Sequence, residues 1–339
     1  MSPRVLFVNS GHDDFLADGL FHGLRMVLGD DAVDWPRIDH LYADFPVQRR
    51  PALHGRGFTL AGLLGPDPRV DRTRALYRAV EGAFDLVVFA DIWRSFGLFT
   101  QWMPQLRDRR VPMAVIDTGD RVEPYPWSGL WWRRRVWWFL PRAHRAARYF
   151  KREVTPWSAW FRTYLTVPGP LAGRLRLLRW LRPISLSIPA SFVVNEPPPK
   201  RKDWPQHVVD AEVASRVGAR TSYAFDAPDA YHEDLRDSRF GVTAKRAGWD
   251  ALRHYEIAAA GAVPCFRDLA LKPSTCAPFG LNRGNSIAYR DVDDLLQQVT
   301  ALDDDEYSRL QHGAVAWAHA STTEARARQF LRACAPGYG

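Results

Sequence analysis

The stretch Ser238–Pro264 has the sequence SRFGVTAKRAGWDALRHYEIAAAGAVP, in which two apolar runs flank a basic loop and a helical pattern. The pattern predicts a strand over Phe240–Thr243, a helix over Trp249–Ala260 and a second strand over Ala262–Phe266. Gly261 is the residue that ends the predicted helix. A strand, a helix and a strand in this order form a βαβ unit with parallel strands, so this stretch indicates an α/β fold.

The first half of the chain repeats the same kind of pattern. Apolar runs without alternation at Arg4–Asn9, Phe84–Ala90 and Val111–Ile116 are typical of parallel strands that are covered on both faces. Apolar residues at helical spacing begin at Phe15, after the first of these runs. Later in the chain, the run Thr221–Phe225 is also predicted to be a strand.

The length of 339 residues is enough for about two domains. A second strand-like segment begins at Pro183–Val194, and the proline-rich stretch Pro197–Lys202 follows it. We therefore predict an N-terminal domain over residues 1–180 and a C-terminal domain over residues 181–339. The last helix is able to pack back on the N-terminal domain.

The loop after Phe240–Thr243 carries the residues that point to a ligand. Lys245, Arg246 and the backbone amides around Gly248 come together with a helix amino end, which suits a diphosphate without a metal ion. Glu256 follows on the same helix, and its carboxylate could accept hydrogen bonds from the two hydroxyls of a ribose. A ribosyl diphosphate would satisfy both ends of this site.

The segment Tyr255–Pro264 resembles the Glu-Ala-x-Ala-x-Gly-x-x-Pro signature of GT-B glycosyltransferases of the family-1 and family-4 type, with an exostosin-like C-terminal half. The resemblance covers mainly residues 220–300. It implies two Rossmann-like domains facing across a cleft that holds a nucleotide sugar. In this chain it implies that Glu256 binds the ribose and that basic residues, of which we name Lys245, Arg246 and Arg253, bind the diphosphate.

The sequence departs from that family at one position. Many retaining members have a second Glu eight residues before the ribose Glu, where this chain has Gly248. Either Asp250 takes over that role or the donor pocket differs, so retaining and inverting chemistry both stay open. The alternative interpretation makes Glu256 a solvated helix residue and Gly261–Pro264 a helix C-cap that leads into a strand.

Three polar residues are candidates for the catalytic base. His12 and Asp13 follow the first strand, and Asp120 follows a later one, at the ends where parallel sheets bind ligands. Asp91 follows the remaining strand of the first half and could contact an acceptor hydroxyl. Each aspartate could equally be a turn residue or a helix cap.

No metal or cofactor is predicted for this chain. Asp291-Val-Asp293 and Asp303-Asp-Asp305 match a literal Asp-x-Asp, but each precedes a helical pattern, so capping is the favoured role. The three cysteines lack the CxxC spacing of a zinc site. The GxGxxG, Walker A, HExxH and GxSxG motifs are also missing, which argues against dehydrogenases, kinases, zincins and lipases.

Residues 127–182 form a basic, tryptophan-rich segment. It contains 13 Arg or Lys against one acid, Glu153, and eight of the 14 tryptophans. Such a surface suits an anionic membrane, in which case the acceptor could be lipid-linked and the protein peripheral at the inner face of the membrane. Otherwise the tryptophans are core or interdomain packing, or the segment binds an acidic acceptor. We expect a cytoplasmic location.

Together these features predict a metal-independent glycosyltransferase that moves a sugar from a nucleotide diphosphate sugar to a hydroxyl of a glycan, a lipid-linked molecule or a small molecule. The alternative is a basic, aromatic-rich protein that binds nucleic acid or another anionic ligand without glycosyl transfer. No recognisable nucleic-acid fold motif accompanies the basic segment, which makes nucleic acid the second choice. A third interpretation is a non-catalytic sugar-binding protein.

Overall fold

The computed structural model describes residues 2–67, 69–121, 146–155, 181–222 and 224–334. Most of the tryptophan-rich segment 127–182 lies outside the described residues. The chain forms two compact units. The first takes in Met1–Arg49, Leu60–Ile184 and Arg326–Gly339, and the second takes in Arg50–Thr59 and Ser185–Ala325.

Within its described residues, the first unit contains a parallel sheet of six strands in the order β2-β1-β3-β4-β5-β6. The strands are β1 Val5–Val8, β2 Ala32–Trp35, β3 Leu86–Phe89, β4 Met113–Asp117, β5 Ala147–Lys151 and β6 Leu181–Pro183. The helices are α1 Phe15–Leu28, α2 Ala75–Val80 and α3 Ile92–Asp108. The strand order reverses between β1 and β3, and such a switch point is where open parallel sheets bind their ligands.

The two central strands β1 and β3 of the first unit are apolar on both faces. Every residue of β1 and β3 is buried, as the unbroken apolar runs predict. Helix α1 begins after Asp14, whose carboxylate accepts from the N–H groups of Leu16 and Ala17, and it ends at Gly29 with a φ of 59°. Short local signals therefore fix where this helix begins and ends.

The second unit contains the parallel strands β7 Phe240–Ala244, β8 Val263–Arg267 and β9 Ile287–Tyr289 in that order. Its helices are α4 Ala211–Val217, α5 Pro228–Asp237, α6 Leu252–Ala259, α7 Val292–Ala301 and α8 Asp304–Ala320, and α9 Thr323–Cys334 continues into the first unit. Strands β7 and β8 with helix α6 form the predicted βαβ unit. An α/β fold with two Rossmann-like units is thereby confirmed.

Two predicted strands are not formed. None of the described residues in Thr221–Phe225 joins a strand, because side chains take its carbonyls: His207 donates to that of Ser222 and Arg56 to that of Phe225. The strand predicted to begin at Pro183–Val194 is also not formed. Strand β6 ends at Pro183, and the N–H of Leu186 donates to a side-chain carboxylate.

No helix among the described residues combines the length and the apolar character that are needed to cross a bilayer.

Candidate functional site

The loop between β7 and α6 presents two exposed cations. Lys245 and Arg246 are exposed, and the N–H of Arg246 donates to the carbonyl of Gly248 at 2.9 Å, which closes the turn. The Lys245 ammonium lies over the Trp249 ring, 5.2 Å from its centroid. Helix α6 begins after Ala251, whose side chain offers no acceptor to the first turn.

Arg253 is the second residue of helix α6, and its charge acts on His207, as does that of Arg246. Burial lowers the pKa of His207, and the positive charges of Arg253 and Arg246 lower it further. His207 donates through Nδ1 to the carbonyl of Ser222 at 2.9 Å. The two guanidinium groups thus both act on His207, and positive charge is what a diphosphate requires.

Glu256 is buried on helix α6, with only 7% of its surface exposed. Its Oε1 accepts from the hydroxyl of Thr59, and its Oε2 accepts from the hydroxyl of Tyr231 at 2.5 Å. The alternative interpretation of Glu256 as a solvated helix residue is therefore wrong. The other part of that interpretation, a helix C-cap at Gly261, is correct: Gly261 follows the end of α6 with a φ of 70°.

Asp250 is also buried, and its carboxylate joins two parts of the second unit. One oxygen accepts from the N–H of Leu186 at 2.8 Å and the other from the hydroxyl of Tyr255 at 2.9 Å. These bonds tie the start of the unit to helix α6. Gly248, which precedes Asp250 in the loop, is buried as well.

In the first unit, the loop after β1 brings a group of acids to the switch point of the sheet. His12 is exposed and Asp13 is half-buried. Burial raises the pKa of Asp14 to about 6, the N–H of Ala17 opposes this effect, and the charges of Asp18 and Asp91 add to it. A carboxylate with a pKa near 6 lies in the range of a general base that works near neutral pH.

His40 contacts this group through Asp18. Its Nε2 donates to the Asp18 carboxylate at 2.8 Å, and both side chains are buried. Burial opposes protonation, yet the bond to Asp18 and the charges of Asp18 and Asp13 raise the pKa of His40 above its ordinary value. The buried Asp18 carboxylate is thus the main group that favours protonation of this histidine.

The later strands end in acids that are engaged in ion pairs. Asp91, which precedes α3, accepts from Arg94 at 2.9 Å, and Asp120 pairs with Arg152. Arg152 also acts on the charge of Asp14, so Asp120 and Asp14 share a cationic neighbour. Of the predicted candidates, Asp120 therefore lies in the same electrostatic neighbourhood as Asp14, the residue that follows Asp13.

The two Asp-x-Asp matches serve as helix caps, as predicted. Asp291 accepts from the N–H of Asp294 at 2.9 Å at the start of α7, and Asp303 accepts from the N–H of Glu306 at 2.7 Å at the start of α8. A search of the described residues finds no group of His, Cys, Asp and Glu side chains arranged to hold a metal ion.

A cavity of about 870 Å³ lies along the outer edge of β9 in the second unit. It is lined by Leu271, Ala288, Arg290 and Leu310, among others, and none of the predicted site residues lines it. None of the residues of the predicted βαβ signature, from Lys245 to Glu256, contributes to its walls. We therefore place the candidate site at the loop after β7 and not in this cavity.

Sequence reasoning missed four residues of these sites: Thr59, Tyr231, Asp18 and His40. Asp18 could have been found, because it lies four residues after Asp14 and so on the same face of α1. Thr59 gave no signal, because it is separated from Glu256 by 197 positions in the chain.

The chain is similar in fold to crystal structures of HepE from Anabaena. The complex of HepE with UDP-glucose has a TM-score of 0.52 and 10% sequence identity, over 98% of this chain and 99% of that one. The complex with UDP and glucose has a TM-score of 0.51 and 9% identity over the same shares of the two chains. The likeness confirms the predicted GT-B fold. No protein-family model and no curated protein sequence matches this chain.

Proposed function

We propose that this chain is a metal-independent glycosyltransferase that moves a sugar from a nucleotide diphosphate sugar to a hydroxyl acceptor. The observation that carries the proposal is the βαβ unit of β7, α6 and β8, which carries Lys245, Arg246, Arg253 and Glu256 on one loop and one helix. The fold is similar to that of HepE, which was crystallised with UDP-glucose, and this likeness supports a nucleotide sugar as donor.

The cations of the loop would hold the diphosphate. Glycosyl transfer releases a nucleoside diphosphate, so negative charge grows on the leaving phosphate in the transition state. Lys245, Arg246 and Arg253 would stabilise that charge together with the backbone N–H groups around Gly248. Three cations supply the positive charge that a bound divalent ion supplies in other architectures, and so the reaction needs no metal.

Glu256 would bind the ribose of the donor. A carboxylate has about four lone-pair positions for hydrogen bonds, of which Thr59 and Tyr231 occupy two. The others suit the two hydroxyls of a ribose. Asp250 is also a predicted donor-site residue, and its bonds to Leu186 and Tyr255 would hold the loop in place at the start of α6.

The first unit would bind the acceptor at the loops after β1, β3 and β4. In an inverting reaction, Asp13 or His12 would take the proton of the acceptor hydroxyl, with Asp120 as the third candidate. In a retaining reaction, the donor phosphate takes that role and these groups orient the acceptor. Asp14, whose pKa is raised to about 6, joins them as a candidate base.

The acceptor would be a glycan, a lipid-linked molecule or a small molecule. The basic tryptophan-rich segment 127–182 would suit an acceptor at an anionic membrane surface, reached from the cytoplasm by a peripheral protein. The same segment carries the second candidate function, the binding of nucleic acid or of another anionic ligand. Binding to anionic vesicles that is lost with the Arg133–Arg135 changes to Ala would favour the membrane.

The test is a thermal-shift panel of UDP, GDP, ADP, CMP and dTDP, with and without EDTA, on the wild type and on Glu256→Gln. We expect one nucleotide to stabilise the wild type, EDTA to leave the shift unchanged, and the variant to lose most of it. Glu233→Gln, the same change at an exposed position of α5, is the matched control and should keep the shift. No shift with any nucleotide, together with binding of single-stranded oligonucleotides, would replace the proposal by the second candidate.

A further inference from the structure

A segment from the first half of the sequence forms part of the second unit. Residues Arg50–Thr59 belong to that unit, whereas the residues on both sides of them belong to the first. The backbone is left-handed at three consecutive residues, Gly55, Arg56 and Gly57, with φ angles of 57°, 56° and 66°. For Arg56 this conformation is unfavourable, so the surrounding contacts have to hold it.

Those contacts are made by Arg56 and Phe58. The Arg56 guanidinium donates to the carbonyl of Phe225 at 2.8 Å and pairs with Asp226. Phe58 packs in an apolar cluster with Phe225 and Tyr231, among others. The segment Arg50–Thr59 is thus fixed to helix α5 and its preceding loop immediately before it reaches Thr59.

Thr59 and Tyr231 together define the plane of the Glu256 carboxylate. One hydroxyl donates to each carboxylate oxygen, and all three side chains are buried. The terminal torsion of a glutamate is broad, so without such bonds its carboxylate turns easily. With both bonds in place, the remaining lone pairs keep one direction.

We propose that Thr59 and Tyr231 are positioning residues, which orient Glu256 so that the site selects ribonucleoside diphosphates over their 2′-deoxy counterparts. This inference rests on the proposed function, in which Glu256 binds the ribose. A fixed carboxylate makes bonds to both ribose hydroxyls, and the loss of one hydroxyl leaves one buried acceptor position unmatched. A carboxylate that turns can instead adapt to the one hydroxyl that remains.

The experiment compares the dissociation constants of UDP and 2′-deoxy-UDP by calorimetry. We expect the wild type to bind UDP about tenfold more tightly or better, as one charge-assisted hydrogen bond provides. Thr59→Val and Tyr231→Phe should reduce this ratio to about threefold or less, and Thr59→Ser should restore it. Thr243→Val removes another buried hydroxyl that bonds a side chain of α6, so it is the control for general destabilisation and should keep the wild-type ratio.

The outcomes separate the two proposals. If the wild type binds UDP tenfold better than 2′-deoxy-UDP and the ratio is unchanged in Thr59→Val and Tyr231→Phe, the positioning role is wrong while the donor site stands. A gain in UDP affinity in Thr59→Val would mean that the Thr59 hydroxyl occupies the place of a ribose hydroxyl, and this result would also overturn the positioning role. Equal binding of both nucleotides by the wild type would refute the selectivity. If no nucleoside diphosphate binds, the proposed function itself fails.

Discussion

Replacing Glu256 by Ala should destabilise the protein even in the absence of a nucleotide. The carboxylate is the acceptor for two buried hydroxyls, those of Thr59 and Tyr231. A buried donor that loses its partner costs about 1 to 3 kcal/mol. Two such donors give an expected loss of about 2 to 6 kcal/mol in the free energy of unfolding, before any loss of packing is added.

Glu256→Gln should be much milder, because two effects oppose each other. The amide keeps an acceptor for one hydroxyl and offers a donor to the other, but the bonds lose the strength that a charge gives. The opposing effect is a gain in stability, because the neutral amide of the variant costs less free energy to bury than a carboxylate. We expect a loss of about 1 kcal/mol, which lies below the range for the alanine variant.

The assay is urea unfolding at pH 7 of the wild type, both single variants, Tyr231→Phe and the double variant Glu256→Ala with Tyr231→Phe. Removing donor and acceptor together leaves fewer unsatisfied groups, so the double variant should lose about 1 kcal/mol less than the sum of its single variants. Glu256→Ala with the stability of the wild type, or strict additivity in the double variant, would refute the reasoning.

Three further changes test other parts of the structure by urea unfolding. A methyl group at Gly241 would lie 2.5 Å from the side chain of Ile257, so Gly241→Ala should lose about 1 to 3 kcal/mol of unfolding free energy. Asp117→Asn should lose about 3 to 5 kcal/mol, because it leaves the fully buried Lys151 ammonium, 3.0 Å away, without its carboxylate. The fold raises the pKa of Asp14 from 3.8 to about 6, so the folded state binds the proton more tightly and loses stability as pH rises from about 4 to 6. Asp14→Asn, which does not titrate, should remove this loss of about 3 kcal/mol.

Gly241→Ala and Asp14→Asn each have a matched control. Gly97→Ala lies in helix α3, where a methyl group meets no atom within 4 Å, and it should gain about 0.5 to 1 kcal/mol. Asp303→Asn makes the same change as Asp14→Asn at an exposed helix cap and should leave the pH profile as in the wild type. A pH profile of Asp14→Asn that superimposes on that of the wild type would contradict a raised pKa. Equal stability of Gly241→Ala and Gly97→Ala would contradict the close contact at β7.

The sequence alone was enough for the features that depend on neighbours in the chain. The apolar runs predicted β1, β3, β4, β7 and β8, because a parallel strand that is buried on both faces is apolar without alternation. The caps at Asp291 and Asp303 could also be predicted, since a cap acts on N–H groups only two or three residues ahead. Helix α6 starts three residues later than its pattern suggests, which is the usual uncertainty of a helix end.

Only the tertiary structure decided what surrounds those elements. Thr221–Phe225 has the composition of a strand, yet His207 and Arg56 take the carbonyls that a neighbouring strand would need. Thr59 bonds Glu256 across 197 positions, a contact that no local pattern encodes. Periodicity and capping are short-range effects that can be read from adjacent residues, whereas the partner of a buried polar group is chosen by whichever distant segment the fold brings beside it.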